Sequence, residues 1–186
     1  MSYKTILVHL DAGTRRTERL NLAFRLAEEF DAHLIGLFAL EPVYMPPTPE
    51  AAPVLFEVEH RRREEALRAA KEEFVQVSRR EQWVKCEWRA TEDSLAAVRL
   101  HARYADLVIA GQPAAEDESD GGVPEWFSQE LVMTAGRPVL LVPHAGHFED
   151  VFPYPASLRF GVATTGTEDD EATRSFSRPS SAVALP

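Results

Sequence analysis

The start of the chain carries the pattern that most constrains its fold, an apolar strand followed by an amphipathic helix and a second apolar strand. The run Thr5–Leu10 is rich in β-branched and large apolar residues, which predicts a buried strand. In segment 15–30 apolar residues recur at helical spacing, and segment 33–40 is again almost wholly apolar. Two strands joined by a helix imply parallel pairing with a right-handed crossover, so the sequence predicts a βαβ unit.

The same alternation continues along the chain. Helical spacing or apolar runs predict a long helix over 54–80, a strand over 83–89, a helix over 94–104, a strand over 106–111, a helix over 126–135 and a strand over 139–142. We therefore predict a doubly wound α/β domain over residues 1–144, with a five-stranded parallel sheet and helices on both faces, a Rossmann-like arrangement. Segment 145–186 is rich in Pro, Gly, Ser and Thr and is predicted to be largely irregular.

The charge balance narrows the possible partners. Lys and Arg number 20 against 30 Asp and Glu, a net charge of −10, which argues against nucleic acid and anionic membranes as partners. The apolar run at 5–10 is too short for a signal core, and no stretch approaches the ~18 apolar residues of a membrane span. The single cysteine, Cys86, excludes an internal disulfide and suits a reducing compartment. These features together predict a cytoplasmic protein.

The predicted topology also says where a ligand would bind. In an open parallel sheet, ligands bind beyond the carboxyl ends of strands, at the point where the strand order reverses. Here those ends are Asp11 to Thr14, Ala39 to Glu41, and Gly111 onward. Two of them have simpler explanations, because an aspartate before a helix can cap it and a glycine can permit a tight turn.

Four segments in this order resemble the universal stress protein family. They are Ile6-Leu7-Val8-His9-Leu10-Asp11, Asp106-Leu107-Val108-Ile109-Ala110-Gly111, Ser128-Gln129-Glu130-Leu131-Val132 and Arg137-Pro138-Val139-Leu140-Leu141-Val142-Pro143. The resemblance implies the five-stranded parallel sheet predicted above and a role in a stress response. One branch of the family binds ATP, and its cofactor-binding positions correspond here to Asp11, Ala39 and Gly111.

This sequence departs from the glycine stretch of the ATP-binding branch, which has the form G-x-x-G, nine residues, then G with Ser or Thr. Only Gly111 is kept, Ala114 replaces the second glycine, and Glu125-Trp126 stand at the last pair. The loop between Gln112 and Trp126 contains several carboxylates and no Lys or Arg. Since like charges repel a triphosphate, we expect a degenerate cleft without a cofactor. The alternative is an ATP-binding switch that places its phosphates unconventionally, with the adenine held near Ala39 and Asp11.

No other constellation predicts catalysis or a metal. The sequence has no P-loop and no nucleophile elbow, so we expect a protein that is not an enzyme, although an unrecognised hydrolase of the same fold stays open. His144 and His147 fall in a Pro-flanked segment that would not orient metal ligands, so no metal is expected. His9 is interpreted as a packed, hydrogen-bonded histidine, and Cys86 as an inert thiol.

The last predicted strand is also the expected contact for a partner. Segment 158–174 faintly echoes the first strand, turn and helix start, and many universal stress proteins are tandem. We therefore interpret residues 145–186 as a linker with the remnant of a second repeat. The resemblance implies that domains pair through the edge near the fifth strand, and an unpaired apolar edge invites a partner. Without a second copy in cis, we therefore predict a homodimer or pairing with a paralogue. The predicted contact residues are Val139, Leu140, Leu141 and Val142. The resulting expectation is a protein of the stress response that works through protein–protein contacts.

Overall fold

Strands and helices alternate as the sequence predicts. The structure, a computed structural model, describes residues 3–40, 52–91, 95–112 and 123–143. Its elements are β1 (Thr5–Leu10), α1 (Arg16–Phe30), β2 (His33–Ala39), α2 (Ala52–Arg80), β3 (Cys86–Thr91), α3 (Leu95–Ala102), β4 (Leu107–Gly111), α4 (Glu125–Thr134) and β5 (Val139–Val142). The linker and remnant of a second repeat predicted over 145–186 lie outside the described residues. Within the described ranges no helix is both long and apolar enough to cross a bilayer.

The five strands form one parallel sheet in the order β3-β2-β1-β4-β5. The chain builds outward from β1 to β3, then crosses back and builds outward through β4 and β5. The order therefore reverses between β1 and β4, which makes their carboxyl ends the switch point of a doubly wound sheet. The predicted fold class is confirmed.

The hydrophobic core has two layers because helices cover both faces of the sheet. Along β1, Ile6, Val8 and Leu10 pack against the α1 and α2 side, whereas Leu7 packs against the α3 and α4 side. Side chains alternate across a strand, so a strand covered on both faces must be apolar at successive positions. The exception among the buried residues of β1 is His9, which faces the second side and is fully buried.

The third strand begins later than the sequence pattern predicts. We expected it over 83–89, but β3 spans Cys86–Thr91. The amide of Trp83 donates to the Ser78 carbonyl, and Ser78 Oγ donates back to the Trp83 carbonyl. These bonds, with a positive φ of 53° at Gln82, hold Trp83 in the turn that ends α2. The other predicted helix and strand limits differ by one or two residues, the usual uncertainty of element ends.

Candidate functional site

The switch point brings the three predicted positions to one edge of the sheet. Asp11 directly follows β1, Ala39 ends β2 and Gly111 ends β4. All three are buried, so the crevice between the ends of β1 and β4 is not open to solvent at these residues. We call the space bounded by Asp11 and Gly111 the β1–β4 crevice.

Asp11 is held by the turn before α1 and by an arginine of α1. Its Oδ1 accepts a hydrogen bond of 3.0 Å from the Gly13 amide and an ion pair of 2.6 Å from Arg19 Nη2. Both side chains of the pair are only 4% exposed. Asp11 thus binds an amide of the turn before α1. It does not cap the first turn of α1, which begins at Arg16.

Arg19 lies across the crevice and against the main chain of Gly111. A Cβ atom built on Gly111 would lie 1.9 Å from Arg19 Nη1 and 3.1 Å from its Cζ, far inside van der Waals contact. Among the described glycines, only Gly136 has a positive φ, so Gly111 is not required by a left-handed turn. Its missing side chain instead makes room for the guanidinium group.

His9 forms the wall of the crevice on the α4 side. Its Nε2 donates to the Ala39 carbonyl at 2.9 Å, and its ring packs on Phe127 with centroids 4.8 Å apart. Because a carbonyl can only accept, the proton is on Nε2 and Nδ1 carries the lone pair. Burial lowers the pKa of His9 to about 4, so the ring is neutral at pH 7. The interpretation of His9 as a packed, hydrogen-bonded residue is confirmed.

The crevice holds one ionised pair beside a neutral ring. Burial opposes ionisation of the Asp11 carboxyl, but the Arg19 charge, with smaller contributions from His9 and the Gly13 amide, keeps its pKa below the usual value. The carboxylate and guanidinium therefore neutralise each other inside the protein. Two polar atoms, Arg19 Nε and His9 Nδ1, are buried without a hydrogen-bond partner among the described residues.

Neighbouring helices fix both ends of the crevice. Arg16 Nη1 donates to the Asp11 carbonyl at 3.0 Å while its Nε pairs with Glu73 of α2 at 2.7 Å. On the opposite side, Ser128 Oγ of α4 donates to the Gly111 carbonyl at 3.0 Å. The main chain on both sides of the crevice is thus tied to helices and is pre-organised.

Sequence reasoning placed Asp11, Ala39 and Gly111 at one edge of the sheet but did not single out Arg19. The available signal was its position four residues before Ala23, on the apolar face of α1. A buried arginine requires a carboxylate or carbonyl partner, and Asp11 lies just before the same helix. The acidic loop between Gln112 and Val123, Ala114, His144 and His147 lie outside the described residues. Among those described, no three His, Cys, Asp or Glu side chains are placed to hold a metal.

Comparison with known proteins supports the fold. No protein-family model and no curated protein matches the chain. A universal stress protein from Lactobacillus plantarum is 18% identical and has a TM-score of 0.59, covering 76% of this chain and 99% of its own. A family member from Burkholderia pseudomallei is 23% identical with a TM-score of 0.54, covering 76% and 96%. One from Arabidopsis thaliana, solved with AMP bound, is 15% identical with a TM-score of 0.51, covering 82% and 98%.

The sheet topology and these similarities together define the fold of the chain. It is a doubly wound α/β protein whose crevice lies at the switch point between β1 and β4. More narrowly, its fold is that of the universal stress proteins, as the resemblance in the sequence implied.

Proposed function

We propose that this chain is a universal stress-type protein that acts in a cytoplasmic stress response through protein–protein contacts, without catalysis and without a nucleotide cofactor. The fold it shares with universal stress proteins supports the class. One observation carries the proposal for the crevice: the Arg19 guanidinium lies against Gly111 and binds Asp11, two of the three positions that a nucleotide would need. The protein itself supplies the occupant of the site.

The first main-chain amide after β4 is also engaged in a hydrogen bond within the protein. A polyphosphate is bound by free main-chain amides at a glycine-rich loop or helix N-terminus. The first amide beyond β4, that of Gln112, donates to the Val142 carbonyl at 2.8 Å. The Arg19 charge does not offer a compensating attraction, because Asp11 already neutralises it at 2.6 Å.

The first test is calorimetry of the full chain with Mg-ATP at neutral pH. We expect no saturable heat up to millimolar ATP, a free energy of binding weaker than about −4 kcal/mol. The Arabidopsis thaliana protein solved with AMP bound is the positive control, titrated with AMP. Saturable binding of ATP to this chain with a Kd below about 100 μM would contradict the proposal.

A second candidate function, an ATP-binding switch, is favoured by the buried cation Arg19, which sequence reasoning did not single out. Arg19 brings a guanidinium to the crevice, and its Nε has no partner among the described residues. A phosphate that displaced Asp11 from Arg19 would form a charge-assisted pair of the same kind. In that case the calorimetry gives binding to the wild type, and Arg19→Gln abolishes it.

The proposed contact for a partner is the edge of the sheet at β5. Among the described strands, β5 pairs with β4 alone, and Val139, Leu140 and Leu141 are only half-buried. An unpaired apolar edge strand is a template for pairing with another chain. We propose that a second copy, or a paralogue, pairs there.

Light scattering after size-exclusion chromatography tests this contact. We expect wild type at twice the chain mass of 20.8 kDa and Leu141→Lys at the chain mass, because a lysine at a sheet edge opposes pairing. Val84→Lys is the matched control, since Val84 is 88% exposed and precedes β3 at the opposite edge. A monomeric wild type at micromolar concentration, or an unchanged Leu141→Lys dimer, would contradict the β5 contact.

A further inference from the structure

We infer that the β1–β4 crevice is a guanidinium-binding site, and that Arg19 of the same chain is its resident ligand. This inference rests on the proposed function and extends it, because it states which chemical class the crevice accepts in place of polyphosphate. The site combines a buried carboxylate, a turn amide that orients it and a glycine whose missing side chain leaves room for the guanidinium.

The walls of the site match a planar cation. Asp11 Oδ1 receives the Nη2 group at 2.6 Å, and the Gly13 amide holds the same oxygen in place at 3.0 Å. Nη1 lies where any side chain at Gly111 would have to be. A carboxylate that accepts one N–H group of the guanidinium, beside a glycine that leaves room for another, is suited to the spread N–H donors of this cation.

The remaining groups tolerate a positive charge. The His9 ring is neutral, and its Nδ1 is a buried acceptor without a partner among the described residues. Burial of both members of the Arg19–Asp11 pair excludes water, which makes the carboxylate a stronger site for a cation.

Arg19 differs in its contacts from the two nearby arginines, Arg15 and Arg16. Arg16 pairs with Glu73 of α2 and donates to the Asp11 carbonyl, so it ties two helices to the turn. Arg15, just before α1, pairs with Glu18 where both side chains are partly exposed. Arg19 alone among these three enters the crevice, so its side chain can be removed without removing the other two contacts.

The test is chemical rescue of the full-length Arg19→Ala protein, which removes the resident ligand and leaves its site. We expect millimolar methylguanidinium chloride to raise the Tm of Arg19→Ala by several degrees, because a ligand that binds the folded state stabilises it by mass action. Methylammonium chloride at equal concentration controls for salt and for charge without the planar fork. The wild type, whose site is filled, and the Arg19→Ala/Asp11→Asn double variant, whose site lacks its carboxylate, should not respond.

The outcomes separate this inference from the proposed function. If methylguanidinium shifts Arg19→Ala no more than methylammonium does, or shifts the double variant equally, the guanidinium site is wrong, while the absence of ATP binding to wild type is untouched. Binding of ATP to Arg19→Ala in place of methylguanidinium also overturns it. Should Arg19→Ala be unfolded, circular dichroism must show refolding with methylguanidinium and not with methylammonium, and failure to refold counts against the site.

Discussion

Replacing Asp11 by asparagine is expected to lower the free energy of unfolding by about 3 kcal/mol at pH 7, measured by urea denaturation. Asparagine keeps the size of the side chain and an acceptor for the Gly13 amide, but it removes the charge that faces Arg19. The guanidinium is then buried without a counter-charge. Removing one member of a buried pair costs far more than the pair itself contributes, because the other charge stays desolvated.

The matched control is Asp31→Asn, at another aspartate that is paired with a cation. Asp31 contacts Lys85 at the surface, where solvent screens the pair. Its φ of 52° is left-handed, a conformation that asparagine tolerates, so the control adds no backbone strain. We expect a small change in its free energy of unfolding. Equal losses in Asp11→Asn and Asp31→Asn would mean that Arg19 is not held in the crevice by this pair.

Acid should distinguish wild type from Asp11→Asn. The pKa of Asp11 is lowered in the folded state, so its contribution is complete above the unfolded value of 3.8 and is lost as pH falls through the folded value. The pKa of His9 is about 4 in the folded state and 6.5 in the unfolded state, so between these two values unfolding is accompanied by proton uptake. Both proteins therefore lose stability as the pH falls from 6.5 to about 4. Below pH 4 the wild type should therefore lose stability more steeply than Asp11→Asn, as measured by urea midpoints.

The sheet could be predicted from the sequence because its strands are buried on both faces. Residues 5–10 and 33–40 are almost continuous apolar runs, and α1 between them has a clear apolar face. The succession of elements and the parallel direction of the strands therefore followed from local pattern. The start of β3 could not be predicted in the same way. Alternation at 83–89 resembles a half-buried strand, but the contacts of Ser78 with Trp83 keep the first residues in the turn after α2.

The candidate site, too, could be predicted only in part from the sequence. The carboxyl ends of β1, β2 and β4 must meet at one edge of a parallel sheet, so Asp11, Ala39 and Gly111 could be placed together. The contact of Arg19 with Gly111 joins residues far apart in sequence and depends on where α1 crosses the sheet. The loop carboxylates that predicted a degenerate cleft lie outside the described residues, and the arginine of α1 within the crevice was not predicted.

Substituting Gly111 by alanine is expected to lower the free energy of unfolding by about 2 kcal/mol, the usual range for overpacking a filled site. The new Cβ would lie 1.9 Å from Arg19 Nη1, so the guanidinium would have to move. An arginine at the surface could do so at little cost, but here movement also breaks the buried bond to Asp11. The measurement is urea denaturation of the single variant and of Gly111→Ala in the Arg19→Ala background.

The double-mutant cycle decides whether Gly111 exists to make room for Arg19. If it does, Gly111→Ala should cost little once Arg19 is truncated, which gives a coupling energy of about 1–2 kcal/mol between adjacent sites. Gly136→Ala is the control, because Gly136 has a φ of 64° and a Cβ added there would meet no atom within 4 Å. Its cost comes from backbone strain alone and should be the same with and without Arg19. If Gly111→Ala were as costly without Arg19 as with it, another feature of the end of β4 would require the glycine, and the guanidinium would not be what occupies its space.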